Sequence, residues 1–136
     1  MILYHYSCPE AWPAISASGR LDPRWPKEDE GWPKTVHLTD QPDRLPSGFG
    51  QGRTLRFTVD IEARPWGEWG RRNVPSQAWI SLGIRNPFVP PGQPALSQWN
   101  QDADHWYVTT EPIPSSAWVE VRLVDTGQVL WPTPSG

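Results

Sequence analysis

Apolar and polar positions alternate most cleanly between Arg53 and Ile61. Leu55, Phe57, Val59 and Ile61 fall on one side of an extended chain, and Arg56, Thr58 and Asp60 on the other. A period of two is the mark of a strand buried on one face. Aromatic and branched residues predict further strands at Ile2–Tyr6, Thr35–Thr39, Ala78–Leu82, His105–Thr110 and Ala117–Val124. Residues 9–18 read as a short helix. Pro9 and Glu10 suit its first turn, where a missing N–H costs nothing and a negative charge meets the positive end of the dipole. Ser7 is placed to cap it, Trp12 and Ile15 share a face, and Gly19 is a natural stop.

Between these elements the pattern breaks down. Residues 22–34 form a polar loop that carries Trp25 and Trp32. Asp40 can cap a short turn or helix from Gln41 to Leu45, and residues 47–52 are glycine-rich and flexible. Arg64–Arg72 reads as a turn region with Trp66 and Trp69, and residues 83–103 as a Pro, Gly, Gln and Asn excursion. There is no internal repeat. The expected organisation is one domain over residues 1–125 with a Pro/Ser/Gly-rich tail over 126–136, which Trp131 is placed to pin. The expected class is α+β: short, mostly antiparallel strands divided over two small sheets, with one short N-terminal helix.

Composition narrows the function. The 136 residues suffice for one core, and 17 prolines argue against long helices. Ten tryptophans can fill a core or line a cleft. Twelve basic against fifteen acidic residues give a net charge of −3, unlike a protein that grips nucleic acid through its phosphates. The one cysteine, Cys8, leaves no internal disulfide and fits a reducing compartment. One cysteine and three scattered histidines give no zinc-ligand spacing. No segment resembles a signal peptide or reaches the ~20 apolar residues of a membrane span, so a soluble cytoplasmic domain is expected.

The chemistry concentrates in two short segments. Leu3-Tyr4-His5-Tyr6-Ser7 precedes the predicted helix and then Gly19-Arg20-Leu21-Asp22-Pro23, and Thr35-Val36-His37-Leu38-Thr39-Asp40 follows the loop. Each sets a histidine in a strand, where its direction is fixed. His105 reads as structural. The order Leu-Tyr-His, helix, Gly-x-Leu-x-Pro, Val-His-Leu-Thr, a strand ending Val-Asp, and a late strand running into Glu-Pro-Ile-Pro resembles the ADP-ribosyltransferase superfamily. It is most similar to the catalytic lobe of tRNA 2′-phosphotransferases and to the small rifamycin ADP-ribosyltransferases. The resemblance covers roughly residues 2–124 and rests on four short motifs.

The resemblance implies an NAD cleft between two small sheets. His5 would hold the NAD ribose hydroxyls. Tyr6 stands where relatives often have a glycine whose backbone approaches the nicotinamide amide, and Ser7 matches their threonine. His37 stands where relatives place a histidine or a tyrosine that packs on nicotinamide, and Thr39 matches the following Ser or Thr. Glu111, in Thr109-Thr110-Glu111-Pro112, matches the acidic residue within one position, with Asp60, Glu62 and Glu68 as competitors. The cofactor-binding set is therefore His5, Tyr6, Ser7, His37 and Thr39, with Glu111 and His37 catalytic.

The implied activity is NAD-dependent ADP-ribosyl transfer of the compact bacterial type. The acceptor would be a protein, a nucleic acid or a small molecule, and a toxin-like role would bring an antitoxin or immunity partner. The basic RNA-holding lobe of the phosphotransferases is lacking, which disfavours 2′-phosphate removal. Two rivals stand beside this: a scaffold that binds NAD or ADP-ribose without turnover, and a ribonuclease or phosphodiesterase using His5 and His37 as acid and base.

Overall fold

The structure is a computed structural model that describes residues 1–25, 31–41, 53–79, 82 and 105–132. Strand β1 (Ile2–Ser7) leads through a single 3-10 turn at Pro9–Ala11 into helix α1 (Trp12–Ser18). Strand β1 runs through Ser7, so Cys8 rather than Ser7 takes the capping position, and it makes no side-chain cap bond. Gly19 ends α1 with φ 71, the left-handed conformation that glycine adopts without strain. There follow β2 (Arg20–Leu21), β3 (Val36–Thr39), β4 (Leu55–Asp60), β5 (Arg64–Pro65) and helix α2 (Trp66–Asn73). The chain closes with β6 (Trp106–Thr109), β7 (Ile113–Pro114), β8 (Trp118–Leu123) and β9 (Val129–Trp131).

The α+β class and the antiparallel pairing are as expected. The division into two small sheets is corrected: among the described residues, seven strands join one antiparallel sheet in the order β5-β6-β3-β1-β4-β8-β9, and β2 and β7 form a separate ribbon. The predicted turn region at 64–72 is an edge strand followed by α2. The predicted strand at Ala78–Leu82 is not one at its start: Ala78 ends a 3-10 turn and Trp79 follows it, with residues 80 and 81 outside the described residues. The expected tail joins the sheet as far as Trp131, because β9 pairs with β8. The expected turn at 41–45, the glycine-rich 47–52 and the excursion at 83–103 lie outside the described residues, apart from Gln41.

Register assigns each side chain to a face. β1 pairs with β4 along its length, Ile2 opposite Asp60 through Ser7 opposite Leu55. Leu3, His5 and Ser7 therefore share a face with Val59, Phe57 and Leu55. That face carries the main core with Leu38, Val36, Val121 and Trp118, covered by Trp12 and Ile15 of α1 and by Leu21 and Ile113 of the ribbon. On the other face, over β3, β5 and β6, lies a second core built on Trp66 and Trp69 of α2 with Trp106 and Val108. The indoles of α2 bury themselves there, and Trp66 Nε1–H donates to the Leu82 carbonyl at 2.8 Å. No helix among the described residues is long and apolar enough to cross a membrane.

Candidate functional site

Among the described strands, β1 and β3 share the shortest pairing in the sheet. Those two strands meet in one bridge pair, Tyr4 opposite Thr39, and the ladder does not continue toward Ser7 and Val36. A carbonyl left without its ladder partner needs another donor. His5 supplies it: the imidazole Nδ1–H donates to the backbone carbonyl of His37 at 2.7 Å. A carbonyl can only accept, so this bond fixes the tautomer. In the neutral ring, Nε2 then carries the lone pair and is the acceptor. Burial holds the His5 pKa below the ordinary value, with the charge of Arg53 acting the same way and the bond to His37 opposing both.

The His5 and His37 side chains do not face each other. Tyr4 and Thr39 share a face, so His37, two residues before Thr39, lies with them, whereas His5 lies on the opposite face. The ring contacts agree. His5 packs on Phe57 of the main core, with centroids 5.9 Å apart. His37 packs on the indoles of Trp25 and Trp66, at 4.4 Å and 4.9 Å. Its Nε2 is buried and has no hydrogen-bond partner among the described residues, as is also true of Trp32 Nε1 in the same aromatic core. Desolvation, with a smaller push from the nearby His5, brings the His37 pKa down to about 3. His37 is thus a neutral imidazole set in an indole wall.

The other expected residues fall in different places. Tyr6 is 3% exposed, on the face opposite His5, so its side chain leaves the His5 face uncrowded. Ser7 stands at the open end of the β1–β3 gap. Thr39 is 1% exposed at the closed end, and its hydroxyl accepts from the Gln41 N–H at 3.2 Å, a local turn bond. The gap does not collect Thr39.

Register also sorts the four competing carboxylates. Thr109, the last residue of β6, lies opposite Val36, so Glu111 follows two residues beyond the end of the sheet where the gap opens. It is exposed, and its N–H bonds the Thr109 hydroxyl at 3.2 Å. Asp60 pairs with Ile2 at the opposite end, where its carboxylate takes the N-terminal ammonium at 2.8 Å. Glu62 follows it there, exposed beyond Ile61, whose N–H bonds the Met1 carbonyl. Glu68 is exposed on the first turn of α2. Of the four, Glu111 alone lies beyond the end of the sheet at which Val36 and Ser7 stand.

His105 is held by Asp40, Nδ1 to Oδ1 at 2.8 Å, near the closed end. No group of three or more His, Cys, Asp or Glu residues among the described ones could hold a metal ion. Two contacts are supplied by the structure. Arg53 stands near enough to His5 to depress its pKa, and the signal was its place two residues before Leu55, the partner of Ser7. Trp25 and Trp66 wall His37. Both stand in segments that read as loop or turn, where the sequence marks them, with Trp32 and Trp69, as indoles able to wall a site; what it does not give is His37 as the residue they wall.

Comparison with known proteins yields no relative: no family model matches the chain, and neither a curated protein nor a solved structure aligns with it significantly.

Proposed function

We propose that this chain is a compact ADP-ribosyltransferase-like enzyme that takes NAD at the gap between β1 and β3 and transfers ADP-ribose to an acceptor. One observation carries the proposal: the β1–β3 ladder stops after Tyr4 and Thr39, and a histidine ring makes the bond that the ladder gives up. The main-chain groups left without ladder partners between these strands are ones that a ligand could satisfy. They belong to the two strands whose motifs resemble those of NAD-dependent transferases.

Each residue then has a role. His5, with Nδ1–H fixed on the His37 carbonyl, offers Nε2 as the acceptor for a ribose hydroxyl. The Tyr6 main chain lies beside it for the carboxamide, and Ser7 lines the open end. His37 acts through its main chain, whose carbonyl holds His5; its ring is turned to the other face, among the indoles. Glu111 supplies negative charge at the mouth. In the reaction, the bond from ribose C1′ to the nicotinamide nitrogen breaks and nicotinamide leaves with the electron pair. The acceptor nucleophile bonds C1′, and its proton passes to a carboxylate. Positive charge on the ribose in the transition state is what Glu111 would stabilise.

A second reading is favoured by a separate observation. The His37 ring sits in contact with both Trp25 and Trp66, and those two indoles touch each other at 5.7 Å. With that ring turned away from the His5 face, no imidazole stacks on nicotinamide there, and the site would bind ADP-ribose or NAD without turnover. The ribonuclease alternative is disfavoured by the same geometry: two imidazoles on opposite faces of a sheet cannot flank one phosphate, and His37 Nε2 is buried. Incubation with NAD labelled in the adenylate half, alongside a lysate, decides the matter. Release of nicotinamide with label on protein, nucleic acid or a small molecule supports transfer. Calorimetric binding with no nicotinamide release supports the scaffold, and no binding at all removes both.

A further inference from the structure

Parity along β4 sets one arginine on the His5 face. Phe57 lies opposite His5, and Leu55 opposite Ser7. The bonding to β8 carries on past Leu55, where the Val124 N–H donates to the Thr54 carbonyl at 2.9 Å. Arg53, two residues before Leu55, therefore continues the line of Phe57 and Leu55 at the open end of the gap. The electrostatics agree. The Arg53 charge is felt at the His5 ring, whereas the shift of His37, whose ring faces the other way, comes from desolvation and from His5.

Other arginines near that end are turned away or engaged. Arg56 and Arg122 belong to the opposite face, where Glu120 answers both. Arg20 donates through Nε to the Asp22 carboxylate at 2.8 Å, and Arg24 reaches the same carboxylate at 4.0 Å. The rest of the His5 face on β1 and β4 is Leu3, Ser7, Leu55, Phe57 and Val59, none of which carries charge.

A dinucleotide brought to His5 poses a charge problem on such a face. Its pyrophosphate carries two negative charges and is joined to the nicotinamide ribose through a single methylene, so it must settle close to that ribose. An anion laid against apolar side chains needs a cation and donors beside it. With the ribose on His5 and the phosphates toward Ser7, the ligand meets Arg53, whose planar fork takes two phosphate oxygens at once. Strand order sets Arg53 on the β4 side of the gap and Glu111 on the β6 side. The arginine can hold the phosphates without neutralising the carboxylate.

We propose that Arg53 is the phosphate-holding residue of the gap, binding the pyrophosphate of a dinucleotide whose ribose lies on His5. The inference rests on the reading of the β1–β3 gap as an NAD site. It assigns the ligand a direction along the sheet: ribose on His5, phosphates at the open end.

The test uses the full chain as wild type, Arg53→Gln, Arg53→Lys and the control Arg20→Gln, each shown to unfold cooperatively on heating. Affinities for NAD, ADP-ribose and inorganic pyrophosphate are measured by calorimetry at low and high salt. Arg53→Gln is expected to weaken NAD and ADP-ribose alike, about ten- to a hundredfold, since both carry the pyrophosphate and lose the same charge-assisted bonds. Arg53→Lys keeps the charge without the fork and falls between, and Arg20→Gln binds as wild type does. The salt dependence of binding becomes shallower in Arg53→Gln, a change that loss of packing alone does not produce. Unchanged NAD affinity in Arg53→Gln, a loss confined to NAD, or a lysine variant no better than glutamine overturns the proposal while leaving the NAD reading in place. If NAD binds no variant but wild type takes pyrophosphate and Arg53→Gln does not, the anion site stands and the NAD reading fails. Binding of neither by wild type removes both.

Discussion

His5 reaches across the unpaired stretch between two strands and bonds the main-chain carbonyl of His37, while the two rings lie on opposite faces of the sheet. The pair is thus joined through backbone, not through ring chemistry. A side chain does the work of a ladder bond where the ladder stops.

Removing that ring leaves the His37 carbonyl without a donor. His5→Ala is expected to cost about 1–3 kcal/mol, the usual penalty for a buried polar group stripped of its partner, with packing on Phe57 lost as well. Urea unfolding of the variant measures it. A midpoint equal to wild type would mean that water replaces the imidazole at no cost.

Acid should destabilise the fold before carboxylates dominate. In the unfolded chain His37 has the ordinary histidine pKa near 6.5, and in the folded chain about 3. A base whose folded pKa is depressed binds more protons when unfolded. Stability is therefore full above pH ~6.5 and falls as pH drops from there toward about 3, by up to roughly 1.4 kcal/mol per pH unit for one proton. His5 shifts in the same direction and steepens the fall. Unfolding midpoints from pH 7.5 to 4.5 for wild type and His37→Phe check the sign. The variant should show a shallower slope.

Glu111→Gln is expected to lower nicotinamide release about 10²-fold or more while leaving NAD binding nearly intact, since a charge-stabilising carboxylate acts chiefly in the transition state. Asp60→Asn is the control, because it sits at the other end of the sheet and holds the N-terminal ammonium. It should lose stability rather than rate. Reversed effects would move the catalytic carboxylate to the far end and break the link with the gap.

Local periodicity made β4 and β8 legible, because an alternating strand announces its buried face without reference to its neighbours. It could not tell which face of one strand joins which face of another. His5 and His37 therefore read as convergent, although burial of Val36 and Leu38 places His37 across from them. Helix α2 was hidden by Gly67 and Gly70, poor helix formers that mimic a turn. Trp66 and Trp69, one helical step apart, override that preference by burying their rings. In β9, Val129, Leu130 and Trp131 pair with β8 despite a Pro- and Ser-rich setting, since a free strand edge recruits whatever apolar segment reaches it. The His5 bond was beyond reach from sequence, because it exists only between two strands that are distant in the chain.

On the sheet face away from the main core, Arg56 lies directly opposite Arg122 across β4 and β8. Two like charges in that position repel. Glu120 answers both: its carboxylate takes Nε and Nη2 of Arg122 at 2.8 Å and 3.0 Å, and lies 3.8 Å from Nη2 of Arg56, whose guanidinium also rests over the Tyr4 ring. Glu120→Gln removes the negative charge but keeps the shape, so Glu120 no longer offsets the repulsion. The expected result is a fall of a few degrees in the melting temperature that shrinks as salt rises, because screening weakens the arginine repulsion. Replacing Arg122 as well, as Glu120→Gln with Arg122→Gln, should recover most of the loss. Melting curves at low and high salt measure both effects, and a double variant less stable than Glu120→Gln would show that Arg122 holds the strand by packing rather than by charge.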